Sequence, residues 1–140
     1  MNREEIKQYL PHRDPMLLVD EAFVDANNVS HGQYTVPKDA FYVRGHFPGH
    51  PVVPGVILCE IMGQCSSLLV KDYLQGRTPF YSGIDNARFK SPVYPGDTLE
   101  VTARIVRQRQ MIFFVEATAT VNNKLCVKAD LSFALVDNAQ

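Results

Sequence analysis

The sequence has no excess of either charge: 14 Lys and Arg stand against 15 Asp and Glu, for a net charge of −1. Nothing in that balance draws the chain towards nucleic acid or an anionic membrane, and neither partner is expected. It also lacks the ~18 uninterrupted apolar residues that a membrane-crossing helix needs. The start, Met1-Asn2-Arg3-Glu4-Glu5, has no apolar signal region, so the expected location is the cytoplasm. Cysteine is scarce and odd in number. Cys59, Cys65 and Cys126 match no metal-ligand spacing and read as reduced core residues. There is no Gly-x-Ser-x-Gly elbow, glycine-rich phosphate loop, internal repeat or linker, and neither a metal nor a cofactor is expected. What remains is an ordinary globular composition, 46% apolar and 21% charged, over one domain of 140 residues.

The chain is organised around residues 45 to 64. Gly45-His46-Phe47-Pro48-Gly49-His50-Pro51-Val52-Val53-Pro54-Gly55 carries three prolines and three glycines, so it cannot be regular structure. From Val56 to Val70 the only charged residue is Glu60, and proline is absent. A helix apolar around its circumference is a helix buried in a core. It should start near Pro54 and fade between Tyr73 and Gly76, a rod of about 27 Å. Glu60, Gly63, Gln64, Ser67 and Lys71 form one polar or small stripe along it. Burial should raise the pKa of Glu60, and His46 is the natural proton acceptor upstream. Together they are the parts of an acid/base pair. For the residues alone the commoner reading is a solvent-facing loop histidine and a glutamate hydrogen-bonded in the core. His46 and His50 are four apart, but Pro48 and Pro51 forbid the helix that would make them a metal pair.

Elsewhere, Asn2 and Glu5 suit a capping box for a short helix ending before Pro11. Leu10-Pro11-His12-Arg13-Asp14-Pro15 breaks it, with His12 and Arg13 expected to fix the turn. Met16-Leu17-Leu18-Val19-Asp20 has the length of a strand, and residues 28 to 36 read as another. Residues 80 to 90 are strand-like. Period-two alternation then runs through Leu99–Ile105, Phe113–Val121 and Leu125–Leu135, the mark of antiparallel strands with one buried face. Asn122-Asn123 suits a two-residue hairpin turn. A long buried helix needs a sheet around it, so the class is α+β.

The Gly-His-Phe-Pro-Gly segment, the Pro-Gly-Val turn and a helix with Glu and Gln four apart resemble the signature of FabZ-type 3-hydroxyacyl-[acyl carrier protein] dehydratases. The interval from His46 to Glu60, the Leu-Pro-His-Arg and Leu-Leu-Val-Asp pieces, and Ala87-Arg88-Phe89-Lys90 with Pro95-Gly96-Asp97 extend the likeness from Leu10 to about Lys128. Val53, Ile61, Gly63 and Ser91 depart from residues common in that family. These departures bear on tunnel width and carrier docking.

The resemblance implies the hotdog fold, a curved antiparallel sheet wrapped around one long central helix. It implies loss of water from a 3-hydroxyacyl thioester to give the trans-2-enoyl thioester, in type II fatty acid biosynthesis. His46 would be the base at C2 and Glu60 the acid at C3. Gly55 would supply a backbone N–H to the thioester oxygen, with Val56, Phe47 and Gln64 around the substrate. The partner would be an acyl carrier protein bearing the acyl-phosphopantetheine, docked on Arg88, Lys90, Arg104, Arg107 and Arg109. The expected assembly is a dimer with shared active sites, built into a trimer of dimers. Two rivals are a bifunctional dehydratase/isomerase and a hotdog acyl thioesterase. The best-known bifunctional relatives carry Asp where Glu60 stands, and a thioesterase would not be expected to have the Gly-His-Phe-Pro segment.

Overall fold

A computed structural model describes residues 1–138. Asn2 caps α1 (Arg3–Ile6) through a capping box: its side chain accepts from the Glu5 N–H, and the Glu5 carboxylate accepts from its own. The strands are β1 (Glu21–Val24), β2 (Val29–Thr35), β3 (Arg77–Phe89), β4 (Thr98–Arg109), β5 (Ile112–Val121) and β6 (Lys124–Asp137). All pair antiparallel in one sheet, ordered β1-β2-β4-β5-β6-β3. The period-two runs are β4, β5 and β6, with Leu99, Val101, Ala103, Phe113, Val115, Ala117, Val127, Ala129 and Leu131 buried. Asn122 and Asn123 turn the last hairpin with φ of 50° and 66°, a left-handed pair that Asn tolerates.

Between β2 and β3 lies α2 (Gly55–Ser67), which touches β2, β4, β5, β6 and β3. Five strands laid flat would span about 19 Å, against a helix about 10 Å wide, so the sheet must curve to reach it. This is the hotdog arrangement. The helix is shorter than its composition suggests. Regular α geometry covers 13 residues and then tightens to a 3-10 segment, Leu68–Tyr73, interrupted at Val70 (φ −116°, ψ 22°). Ser66 and Ser67 donate their hydroxyls to the carbonyls of Met62 and Gly63, competing with the backbone ladder just before that change. Among the described residues, no helix is long and apolar enough to cross a membrane.

Two features of the packing bear on the site. Met16–Asp20 is not a strand: residues 17–19 have no regular structure, and the first strand begins at Glu21. Its partner is a side chain. The Leu18 N–H donates to Gln64 Oε1 at 2.8 Å, and Gln64 Nε2 donates to the Met16 carbonyl at 2.8 Å. The second feature is a close approach: Gly32 on β2 lies against Cys65 on α2, where an added Cβ would sit 2.8 Å from the Cys65 Cβ. All three cysteines are free and buried.

Candidate active site

Glu60 sits on the first half of α2, its side chain 26% exposed. It opens onto a cavity of about 340 Å³ lined by Glu60, Gly63, Gln64 and Ser67 from the helix, by Pro11 and His12, and by Thr78–Tyr81 of β3 with Phe133 of β6. Four members of the predicted stripe therefore form one wall of one cavity. Its other wall includes the Tyr81 ring, whose hydroxyl donates to the Cys59 carbonyl in the space that Gly63 leaves without a side chain.

Both hydrogen-bonding contacts of the carboxylate reach one oxygen. Oε2 accepts from Gln64 Nε2 at 2.9 Å and faces His12 Nε2 at 3.4 Å. Among the described residues Oε1 takes no hydrogen bond. Burial pushes the carboxyl up, as the sequence leads one to expect. The His12 ring and the Gln64 amide outweigh it, and the carboxyl is held below its ordinary value. The expected rise is thus reversed, because the donors come from a loop and a helical neighbour whose reach a sequence does not display.

His46 lies elsewhere. It is half-buried in the irregular loop, its ring stacked on Phe47 at 4.2 Å across a cis peptide bond. The loop is held by Val52 N–H donating to the His46 carbonyl and by reciprocal bonds between Phe47 and His50. His46 Nδ1 lies 3.1 Å from the Val52 carbonyl. A carbonyl can only accept, so Nδ1 carries the proton and Nε2 is left with its lone pair. That is the tautomer a general base needs.

Gly55 starts α2, and the first N–H groups there to donate to a backbone carbonyl are those of Ile57 and Leu58, to Pro54. The N–H groups of Gly55 and Val56 are orphan donors at the positive end of the helix. Gly55 borders a separate groove of about 230 Å³ that includes Val53, Leu58, Phe89 and Lys90. Val56 is 77% exposed and Phe47 54%, while Gln64 is fully buried. One chain therefore does not bring His46, the start of α2 and Glu60 into a single cavity.

The basic residues also separate. Arg88 pairs in register with Lys128, which pairs with Thr118 and so meets β4 at Thr102. Arg107 is five residues further along β4 and three strand spacings away, offsets of about 17 Å and 14 Å. Arg104 is ion-paired with Glu116, and Arg107 stacks over the Phe114 ring at 4.0 Å. Arg109 faces Ile112 at the far hairpin. Lys90 borders the groove at the helix start.

The sequence assigned His12 to a turn and missed its reach to Glu60. Arg13 is what fixes that turn, donating to the carbonyls of Lys7, Leu10 and His12. Tyr81 and Phe80 were passed over because a strand's two faces do not announce which one borders a cavity. Among the described residues, no cluster of three or more metal-ligating side chains occurs.

Comparison with known proteins shows the family and the fold. Residues 24–129 match the family model described as ApeI-like, ApeI dehydratase. The chain is 43% identical over 139 residues to the 3-hydroxyacyl-[acyl-carrier-protein] dehydratase FabZ of Clostridium perfringens, covering 96% of this chain and 99% of that one. It is 38% identical over 138 residues to the FabZ of Bacillus subtilis, covering 96% and 98%. Among solved structures, the dehydratase heterocomplex ApeI:P from Xenorhabdus doucetiae superposes with a TM-score of 0.81 at 18% identity, covering 95% of this chain and 91% of that one.

Proposed function

We propose, from the premise that this chain belongs to the FabZ family of 3-hydroxyacyl-[acyl-carrier-protein] dehydratases and is a hydro-lyase, that His46 and Glu60 perform the elimination as base and acid. The reaction is dehydration of 3-hydroxyacyl-[acyl carrier protein] to the trans-2-enoyl form in fatty acid biosynthesis. The single observation that best supports the assignment is the tautomer of His46, whose Nε2 lone pair is free to take the C2 proton. As that proton leaves, negative charge develops on the thioester oxygen. The Gly55 and Val56 N–H groups are the donors suited to receive it. Glu60 then gives a proton from Oε1 to the C3 hydroxyl, the C3–O bond breaks, and water departs. An acyl group filling the cavity excludes water from Oε1 and pushes the carboxyl towards the protonated form that an acid requires.

The site is shared between two chains in this reading. His46 does not border the cavity of Glu60. β3 supports the assembly: it is a sheet edge of 13 residues with Phe80, Tyr81, Ile84 and Phe89 exposed along it. A long apolar edge is a liability unless another strand covers it. Two-fold pairing of β3 with a second β3 covers both edges, and three such dimers complete the hexamer. The substrate arrives on an acyl carrier protein, which docks beside the helix start on Arg88 and Lys90. Arg88 stands directly opposite Lys128 in the sheet, a like-charge pair that an acidic partner relieves. Of the β4 arginines, Arg104 is neutralised by Glu116, and Arg107 and Arg109 serve at most a second, distant patch.

The decisive experiment mixes two inactive proteins. His46→Ala and Glu60→Ala homodimers should each fail to hydrate crotonyl thioester. Unfolded and refolded together, half the dimers are mixed, and each mixed dimer holds one intact and one doubly altered site. About a quarter of all sites should recover if pairing is random. Heterodimers that form yet stay inactive would place both residues in one chain.

A further inference from the structure

Glu60 has a second histidine beside it, and the loop that carries it is held independently of the carboxylate. Leu10 anchors the segment at 1% exposure, and Arg13 ties three of its carbonyls. The His12 side chain is 22% exposed and projects Nε2 towards Glu60 Oε2. Its other nitrogen, Nδ1, is buried with no hydrogen-bond partner. A histidine that only braced its loop would tie Nδ1 to a backbone group, as His46 does with Val52. Buried polar atoms without a partner are rare enough to ask for a reason.

We propose that His12 is the positioning residue of the acid: its Nε2–H and the Gln64 amide hold Oε2, leaving Oε1 as the oxygen that delivers the proton. The inference rests on Glu60 being the acid of the dehydratase reading.

To donate from Nε2, His12 carries a proton there, and Nδ1, which meets no acceptor or donor, is left as a bare lone pair. Burial pushes the Glu60 carboxyl up, and the His12 ring and the Gln64 amide outweigh it, so the same contacts that fix Oε2 also hold the carboxyl below its ordinary value. The other titratable groups facing Glu60 are Tyr81 from β3 and Cys59 from α2. Burial raises both, Glu60's own charge raises them further, and neither brings positive charge. Of the titratable groups facing Glu60, His12 is therefore the one that holds the carboxyl down.

The test compares the full-length wild type with His12→Gln and His12→Ala, reading crotonyl thioester hydration across pH and the carbon-13 titration of Glu60, assigned through Glu60→Gln. In His12→Ala, kcat should fall about 10- to 100-fold, as for a misplaced catalytic group, with KM nearly unchanged. His12→Gln keeps a donor near Nε2 and should recover part of kcat. In both variants the Glu60 titration should move upward, because both lose the imidazole that holds the carboxyl below its ordinary value. A Glu60 titration and rate–pH profile unmoved in both variants would overturn the proposal. So would a loss confined to KM with the profile intact, which is what a loop brace alone would give. If the wild type shows no hydration, the dehydratase reading fails, while the carbon-13 titration still decides the pairing of His12 with Glu60.

Discussion

Replacing Gln64 by Leu tests whether one buried amide joins the helix, the N-terminal segment and the acid. The side chain is 2% exposed and makes three hydrogen bonds, to the Leu18 N–H, the Met16 carbonyl and Glu60 Oε2. Leucine has similar volume, so packing changes little. The Leu18 N–H is left buried without an acceptor, which costs about 1–3 kcal/mol, and the partly buried Met16 carbonyl adds roughly 1 kcal/mol. The total is about 3 kcal/mol. At about 2.1 cal/mol/K of unfolding entropy per residue, 140 residues give roughly 0.3 kcal/mol/K, so Tm should fall by about 10 °C. The measurement is thermal unfolding by circular dichroism at one fixed protein concentration, since an oligomer's Tm depends on it. Gln64→Glu is the companion: it keeps an acceptor for Leu18 but sets a second carboxylate beside Glu60 and loses the donor to Met16. A Tm within about 2 °C of wild type for Gln64→Leu would mean the amide does not bear these contacts.

Other outcomes follow from the same geometry. Glu60→Gln should retain the fold and lower turnover by a factor on the order of 10² to 10⁴, read in the crotonyl thioester assay. The same variant should change the acid limb of stability. A carboxyl held below its ordinary value stabilises the fold above pH 4.5, and the contribution is lost as pH falls through the lowered value. The stability difference between wild type and Glu60→Gln should therefore be constant above about pH 4.5 and shift as pH falls through the lowered value, read by denaturant unfolding at a series of pH values. Arg88→Glu with Lys90→Glu should weaken turnover of carrier-bound substrate and spare small thioesters, whereas Arg107→Glu with Arg109→Glu should do so far less. Equal loss on both substrates would count against docking. Burial raises all three thiols, Cys65 to about 12, so native protein should react slowly with a disulfide reagent and release three equivalents only when unfolded.

Much of the fold was legible because its signals are local. The alternation of Leu99 to Leu135 and the Asn122-Asn123 turn depend on side-chain period and backbone sterics alone. Met16–Asp20 misled because an apolar run does not say whether a strand or a side chain such as Gln64 satisfies its backbone. The shortened helix misled because the 3-10 segment opens with Leu68–Val70, as greasy as the turns before it. At the site, the stripe from Glu60 to Ser67 was readable from helical spacing. The sign of the Glu60 shift was not, since it depends on His12, which spacing cannot connect to the helix. The basic residues looked like one cluster only because strand order, which puts β5 and β6 between β3 and β4, is invisible along the chain.

The contact between Gly32 and Cys65 restricts the order in which this pair could drift during evolution. Alanine at 32 collides with the Cβ of any residue at 65 other than glycine. Glycine at 65 must therefore come first, in the interior of α2, where it weakens the helix by about 1 kcal/mol and opens a void beside β2. Alanine at 32 could refill that void only afterwards. Each single step is a loss, and only the double change recovers it. Such a pair behaves as a ratchet: selection that tests one substitution at a time should keep both residues even though neither touches the chemistry.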